Sequence, residues 1–395
     1  MSNTQKKNVP ELRFPGFEGE WEEKQLGDLT DRVIRKNKNL ESKKPLTISG
    51  QLGLIDQTEY FSKSVSSKNL ENYTLIKNGE FAYNKSYSNG YPLGAIKRLT
   101  RYDSGVLSSL YICFSIKSEM SKDFMEAYFD STHWYREVSG IAVEGARNHG
   151  LLNVSVNDFF TILIKYPSLE EQQKIGKFFS KLDRQIELEE QKLELLQQQK
   201  KGYMQKIFTQ ELRFKDENGE EYPEWENKFI KDIFIFENNR RKPITSSLRE
   251  KGLYPYYGAT GIIDYVKDYL FNNEERLLIG EDGAKWGQFE TSSFIANGQY
   301  WVNNHAHVVK SNDHNLFFMN YYLNFKELRA FVTGNAPAKL THANLCNINL
   351  KIPCLTEQDK VSALLKSIDN KMNNQMNRIE LLKERKKGLL QKMFI

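Results

Sequence analysis

The sequence predicts an α+β protein: two similar globular domains separated by two long helices that form an intramolecular antiparallel coiled coil, with a pseudo-twofold internal repeat. Three observations predict it. A helical stretch, Leu169 to Phe208, is written again as Leu355 to Phe394, 186 residues later and without a gap (355 − 169 = 186). A lead-in, Glu11-Leu12-Arg13-Phe14 followed by Glu20-Trp21-Glu22, returns as Glu211-Leu212-Arg213-Phe214 and Glu224-Trp225-Glu226. Between these repeats lie stretches that mix short apolar runs of strand character with short helical ones, the signature of α+β domains.

The long helices are legible by period. About fifteen positions are identical between Pro167–Phe208 and Pro353–Phe394, among them Glu171/Glu357, Gln172/Gln358, Asp183/Asp369, Gly202/Gly388 and Phe208/Phe394. In the first copy Ile175, Phe179, Leu182, Ile186, Leu193, Leu196, Tyr203 and Ile207 fall at alternating steps of three and four, a heptad seam. The second copy repeats it with Val361, Leu365, Ile368, Met372, Ile379, Leu382, Leu389 and Met393. Both seams are interrupted at the same places, by Glu189/Gln375 and by Lys200/Lys386. Polar seam residues cost stability and fix register, so these four are the predicted register residues. Antiparallel pairing of helices of about 38 residues, roughly 57 Å long, would bring Glu189 and Gln375 face to face.

In chain order the reading is a loose arm and lead-in at 1–19, a first domain at 20–165, the first long helix at 166–209, a lead-in linker at 210–223, a second domain at 224–351 and the second long helix at 352–395. Leu107 to Phe114 and Tyr300-Trp301-Val302 read as strands, Phe124 to Phe129 and Phe317 to Leu323 as short helices. Gly53-Leu54-Ile55-Asp56 matches Gly261-Ile262-Ile263-Asp264, so the domains share a scaffold while differing in most side chains between such anchors. Each domain closes on a strand stopped by proline, Ile162 to Pro167 and Ile348 to Pro353. Ser168-Leu169-Glu170-Glu171 fits a capping box, with Thr356 as the cap of the second copy, where Cys354 replaces the serine. Gly202 and Gly388, costly inside helices, imply close backbone packing or a bend. Trp21 and Trp225 are expected as core anchors at the start of each domain.

Composition sets bounds. The 395 residues suffice for two or three cores, and a net charge of +5 permits a nucleic-acid partner without arguing for one. Cys113, Cys346 and Cys354 show no paired spacing, which fits a reducing cytoplasm and gives neither a disulfide framework nor a zinc site. The N-terminus is polar and no apolar run approaches 18 residues, which argues against a signal peptide or a membrane span.

The organisation resembles the DNA specificity subunit of type I restriction-modification systems. The resemblance covers nearly the whole chain and rests on four features. These are the duplicated domain-plus-helix plan, Pro-x-Leu-x-Glu-Gln at Pro167–Gln172 and Pro353–Gln358, Lys-Lys-Gly-x-x-Gln-Lys-x-Phe closing both helices, and the lead-in at 11–21. It implies that each domain is a target-recognition domain reading one half of a split double-stranded DNA site. It implies too that the helices space the domains and hold two methyltransferase subunits, while restriction and motor subunits translocate and cleave. S-adenosylmethionine, ATP and magnesium would then serve those partners, with no cofactor or metal in this chain and no catalysis by it alone. One turn of B-DNA is about 34 Å, so such a spacer can place two readers one to two turns apart. The helix from Leu196 to Glu211 is the segment expected to set the gap.

Enzymatic motifs are otherwise missing. There is no Pro-Pro dipeptide of an adenine methyltransferase loop and no phosphate-cradling glycine loop. Gly280-Glu281-Asp282-Gly283-Ala284-Lys285 sets two acids near a lysine, but reads better as a polar turn, and His305-Ala306-His307 reads better as structural or DNA-facing than as metal-binding. The DNA-contact candidates are loop groups combining basic, amide and aromatic side chains. In the first domain these are Lys85, Ser86, Tyr87, Asn89 and Tyr91, and Arg147, Asn148 and His149. In the second they are Tyr256, Tyr257, Lys285, Trp286, Asn303, Asn304, His305, Lys339, Thr341 and His342. The basic cluster Lys383, Arg385, Lys386, Lys387 and Lys392 reads as a solvated or partner-facing helix face. The competing reading is a structural or interaction scaffold whose coiled coil dimerises between chains, whereas an intramolecular coil predicts a monomer for the isolated chain.

Overall fold

The computed structural model describes residues 8–395 except 51, 62–68, 87–89, 143–151 and 336. Two compact units are formed, residues 1–190 with 378–395, and residues 191–377, so each unit takes in a globular domain and a piece of each long helix.

The first unit is built on a four-stranded antiparallel sheet in the order Thr30–Arg32, Tyr111–Ile116, Phe81–Asn84, Ala95–Arg98. The second unit has the same arrangement in the order Ile235–Phe236, Ala306–Lys310, Arg276–Gly280, Ser293–Ala296. The strand expected over Leu107 to Phe114 is in fact two strands, Ser104–Leu107 and Tyr111–Ile116. Ser108 to Leu110 form the break between them, with Tyr111 N bonded to Ser108 O at 3.2 Å, because an apolar run alone does not reveal a tight turn within it. The short helices are Lys122–Asp130 and Leu316–Phe325, capped by Ser121 and Asn315, whose side-chain oxygens accept from the N–H three residues on. In both units the strand after the lead-in pairs with the closing strand, Glu22–Gln25 with Leu163–Tyr166 and Glu226–Phe229 with Asn349–Ile352.

The long helices run without interruption over Leu169–Phe208 and Leu355–Met393. Within the first unit their pairing is antiparallel. Asp183 meets Lys386 at 2.6 Å, while Glu189, further along the first helix, meets Arg378, further back on the second, at 2.8 Å. The second unit holds the reciprocal contact, Lys200 to Asp369 at 2.6 Å. Two lysines in equivalent seam positions thus pair with two aspartates in equivalent positions, which specifies register from both copies. Ile175 and Phe179 share a core with Leu390, Met393 and Phe394 in the first unit, as Met204, Ile207 and Phe208 do with Val361, Leu365 and Ile368 in the second. Within each unit these seam residues are therefore packed by the same chain.

The repeated motifs anchor each helix to its domain. Arg13 makes a two-pronged ion pair with the buried Glu171 at 2.8 and 2.7 Å, and Arg213 does the same to Glu357 at 3.3 and 2.8 Å. Gln172 accepts from Ser121 N at 3.0 Å and donates to Pro167 O at 2.8 Å, and Gln358 accepts from Asn315 N at 2.9 Å and donates to Pro353 O at 2.9 Å. One glutamine thus ties a helix start to the cap of a second helix in each unit. The lead-in also stitches to a helix end, Leu12 N to Lys392 O at 2.8 Å and Leu212 N to Lys206 O at 2.9 Å. Trp21 and Trp225 are buried, Trp21 edge-on to Phe124 and Phe394, and Trp225 edge-on to Phe318 and Tyr322.

Two local expectations are corrected. Ser168 Oγ accepts from Glu171 N at 3.4 Å, but the Glu171 carboxylate goes to Arg13 instead of reaching back to close a capping box. In the second copy Thr356 lies inside the helix, its hydroxyl 3.2 Å from the Cys354 sulfur. Gly202 and Gly388 are not sites of close packing, since a Cβ at either would meet open space. The crowded helical glycine is Gly176, where a Cβ would stand 2.6 Å from Phe124 N, at the start of the Lys122–Asp130 helix.

Candidate nucleic-acid interface

In the second unit the sheet delivers its candidate residues from one corner. Gly280 pairs with Ala306 across neighbouring strands, so the loop leaving at Glu281 lies against the loop arriving through Asn303, Asn304 and His305. Glu281 N donates to His305 O at 2.9 Å, and Leu340 N donates to Glu281 O at 2.8 Å, which brings up the segment carrying Lys339, Thr341 and His342. The two acids are both paired. Glu281 holds Arg241 at 2.6 Å, and Asp282 holds Lys339 at 3.3 Å and the His305 imidazole. A carboxylate pair neutralised in this way suits a rigid loop frame, not a cation site.

His307 is fully buried, with Nε2 donating to Leu340 O at 2.8 Å and Nδ1 facing the Asn238 amide at 3.2 Å. Burial pushes its pKa down, and both ring nitrogens are in use, so it is a structural histidine.

The structure sorts the second-domain candidates by exposure. Lys285, Asn304, His305 and His342 face solvent, and Lys339 and Tyr257 are partly exposed. Tyr256 is buried, its hydroxyl accepting from Ile244 N at 2.9 Å beneath the Arg249 guanidinium. Trp286 is buried with its indole N–H donated to Gly280 O at 3.2 Å. Asn303 is buried and accepts from His305 N at 2.8 Å, shaping the loop from within. Thr341 caps the short helix His342–Cys346. Tyr256, Trp286 and Asn303 thus support the surface from within, and Thr341 is only partly exposed. Arg241 was not visible as a candidate in the sequence; nothing in its local pattern marks the distant Glu281 as its partner.

The first unit offers Lys85 and Ser86 at the equivalent place, directly after Phe81–Asn84. The Lys85 ammonium donates to Val154 O at 3.3 Å and Ser86 N donates to the Asn84 side chain at 3.0 Å. Tyr91 spends its hydroxyl on Gly50 O at 2.8 Å. Tyr87, Asn89, Arg147, Asn148 and His149 lie outside the described residues.

Comparison with known proteins bears on this surface. A family model described as the type I restriction modification DNA specificity domain matches twice, at residues 18–198 and 222–384. A Haemophilus influenzae chain, S.HindORF215P, is 40% identical over 147 residues, 37% of each chain. The type I restriction enzyme MjaVIII specificity subunit of Methanocaldococcus jannaschii is 23% identical over 421 aligned residues, 97% of this chain and 93% of that one. The crystal structure of a type I restriction-modification S subunit from M. genitalium has the same fold, with a TM-score of 0.62 at 16% identity over 98% of this chain and 99% of that chain. With both repeats matched by the family model, the chain belongs to the type I restriction-modification DNA specificity family.

Proposed function

We propose that this chain is the non-catalytic reader of a bipartite double-stranded DNA site, one half-site for each globular domain. On this reading it positions two methyltransferase subunits, and restriction and translocation subunits, on that site. The observation that carries it is the duplication: two units with one sheet order, whose corresponding loops hold Lys85-Ser86 in one and Glu281-Asp282 in the other. One scaffold with two loop chemistries is what reading two half-sites requires, since sequence is read by side chains at base edges while phosphate contacts only position the protein. S-adenosylmethionine, ATP and magnesium then belong to the partner subunits, and the cytoplasm is where such a complex meets DNA.

Lys285 tests the assignment. It is exposed beside the Glu281–Asp282 turn and, among the described residues, takes no part in the ion pairs that occupy Arg241 and Lys339. Lys285→Ala in the assembled complex is expected to weaken DNA binding; a base contact would relax one position of one half-site, at a cost of about 1–3 kcal/mol. Binding to a panel of duplexes, each with one half-site base pair changed, reads this out. Unchanged binding across the panel would remove Lys285 from the interface.

A further inference from the structure

The ribbon Lys251–Tyr257 paired with Ile262–Val266 carries apolar side chains into solvent beside the polar corner described above. Ile263 and Tyr265 are 48% and 50% exposed. Ile263 is the extra residue of a bulge in this ribbon, between the pairs Tyr257–Ile262 and Tyr256–Asp264, and Tyr265 follows two residues on. Ile55, which occupies the place of Ile263 in the matched Gly-apolar-Ile-Asp of the first unit, is 4% exposed. The same motif is core in one domain and surface in the other. Exposed apolar residues gathered on one element mark a contact surface.

The ribbon tip is built into the candidate interface. Asn303 N donates to Tyr257 O at 3.0 Å, and Gly258 N donates to Gly261 O at 2.8 Å to close the turn. A Cβ at Gly258 would lie 3.0 Å from Ile263 Cγ2 and 3.6 Å from Asn303 Nδ2, and one at Gly280 would lie 3.0 Å from Ala259 O. Ile263 therefore borders the loops that hold Asn304, His305 and Lys285. The other edge of Lys251–Tyr257 is taken by Trp301–Val302, which leaves Ile262–Val266 as the free strand of the ribbon.

We propose that Ile263 and Tyr265 are specificity residues that read the C5-methyl group of a thymine in the half-site of the second domain. The inference rests on the DNA-reading function proposed above. The major groove admits a two-stranded β-ribbon, and the thymine methyl is the apolar group displayed there. An aliphatic and an aromatic side chain, set beside amide and cationic groups, suit that methyl better than any base-edge donor or acceptor.

The test uses the chain assembled with its partner subunits and duplexes in which each thymine of the second half-site is replaced, one at a time, by 2′-deoxyuridine. The wild type is expected to lose roughly fourfold in affinity at one position, the effect of one methyl group withdrawn from an apolar contact. That loss should vanish in Ile263→Ala or Tyr265→Ala and persist in Ile263→Val, a coupling between side chain and methyl group. Equal tolerance of uracil at every position, an unchanged uracil penalty in the variants, or a second half-site without thymine would overturn the proposal. So would variants that fail to assemble with the partner subunits, which would make the ribbon a protein contact. A complex that ignores both half-sites would instead sink the DNA-reading function itself.

Discussion

Replacing Arg13 by Met is expected to destabilise the first unit by about 3–5 kcal/mol, and Arg213→Met the second unit by a similar amount, because each leaves a buried carboxylate without its partner. Glu171 and Glu357 have side chains only 1% exposed, and each receives two guanidinium hydrogen bonds. Arg13 also donates to Gly19 O at 2.6 Å and Glu18 O at 3.1 Å, and Arg213 to Tyr222 O at 3.1 Å and Pro223 O at 2.7 Å. The arginine thus clamps the lead-in onto the helix start. Thermal and denaturant melts of the single variants check the loss. The double variants Arg13→Met/Glu171→Leu and Arg213→Met/Glu357→Leu should recover part of it, since an apolar pair replaces a buried charge pair more cheaply than it replaces one member. Single variants as stable as the wild type would show that the clamp carries no stability.

Lys386→Met is expected to cost the first unit about 3 kcal/mol near neutral pH, and less in acid. The Lys386 ammonium, 15% exposed, holds Asp130 and Asp183 at 2.6 Å each, and Lys97 holds Asp130 from the other side at 2.6 Å. Burial alone would push Asp130 up, but the two ammonium groups outweigh it and hold the carboxyl at about 2. A depressed carboxylate stabilises the fold fully above its ordinary value of 3.8, and that contribution is lost as the pH falls from there toward 2. Removing Lys386 lets the Asp130 pKa climb back toward its ordinary value, so this group loses less stability in acid and the variant's deficit against wild type should narrow as the pH falls from 3.8 toward 2. Glu126 has the opposite sign: burial, partly offset by Arg98, pushes it up to about 7 from 4.5. Its contribution is complete below pH 4.5 and fades as the pH rises through 7. Melting temperatures of wild type, Lys386→Met and Glu126→Gln from acid to neutral pH would show both effects. A Lys386→Met deficit that does not narrow in acid would contradict the account of Asp130, and a neutral limb unmoved in Glu126→Gln would contradict that of Glu126.

Much of the architecture was legible because it is written twice in one chain. Seam spacing located both long helices, and the recurrence of Glu-Leu-Arg-Phe and Glu-Gln flagged residues that the structure joins as Arg13–Glu171 and Arg213–Glu357. The pairing itself was hidden, since nothing local tells an arginine which glutamate it will meet 158 or 144 residues away. For the candidate interface the sequence shows loops but not which of their side chains face solvent. Tyr256, Trp286 and Asn303 have the chemistry of DNA readers but are buried by tertiary packing that carries no periodic signal. Ile263 shows the reverse: the apolar pattern that makes Ile55 core in the first unit leaves Ile263 half-exposed in the second. The cost of Gly202 and Gly388 in a helix points to close packing or a bend, and the open space beside each removes the packing half.

The central claim, one chain reading two half-sites for catalysis done elsewhere, is tested most directly by mapping N6-methyladenine in DNA from cells that express this chain with its methyltransferase subunits. The account predicts methylation in a motif of two short specific half-sites separated by a gap of fixed length and unread sequence. A single continuous motif, or methylation that does not depend on this chain, would contradict it.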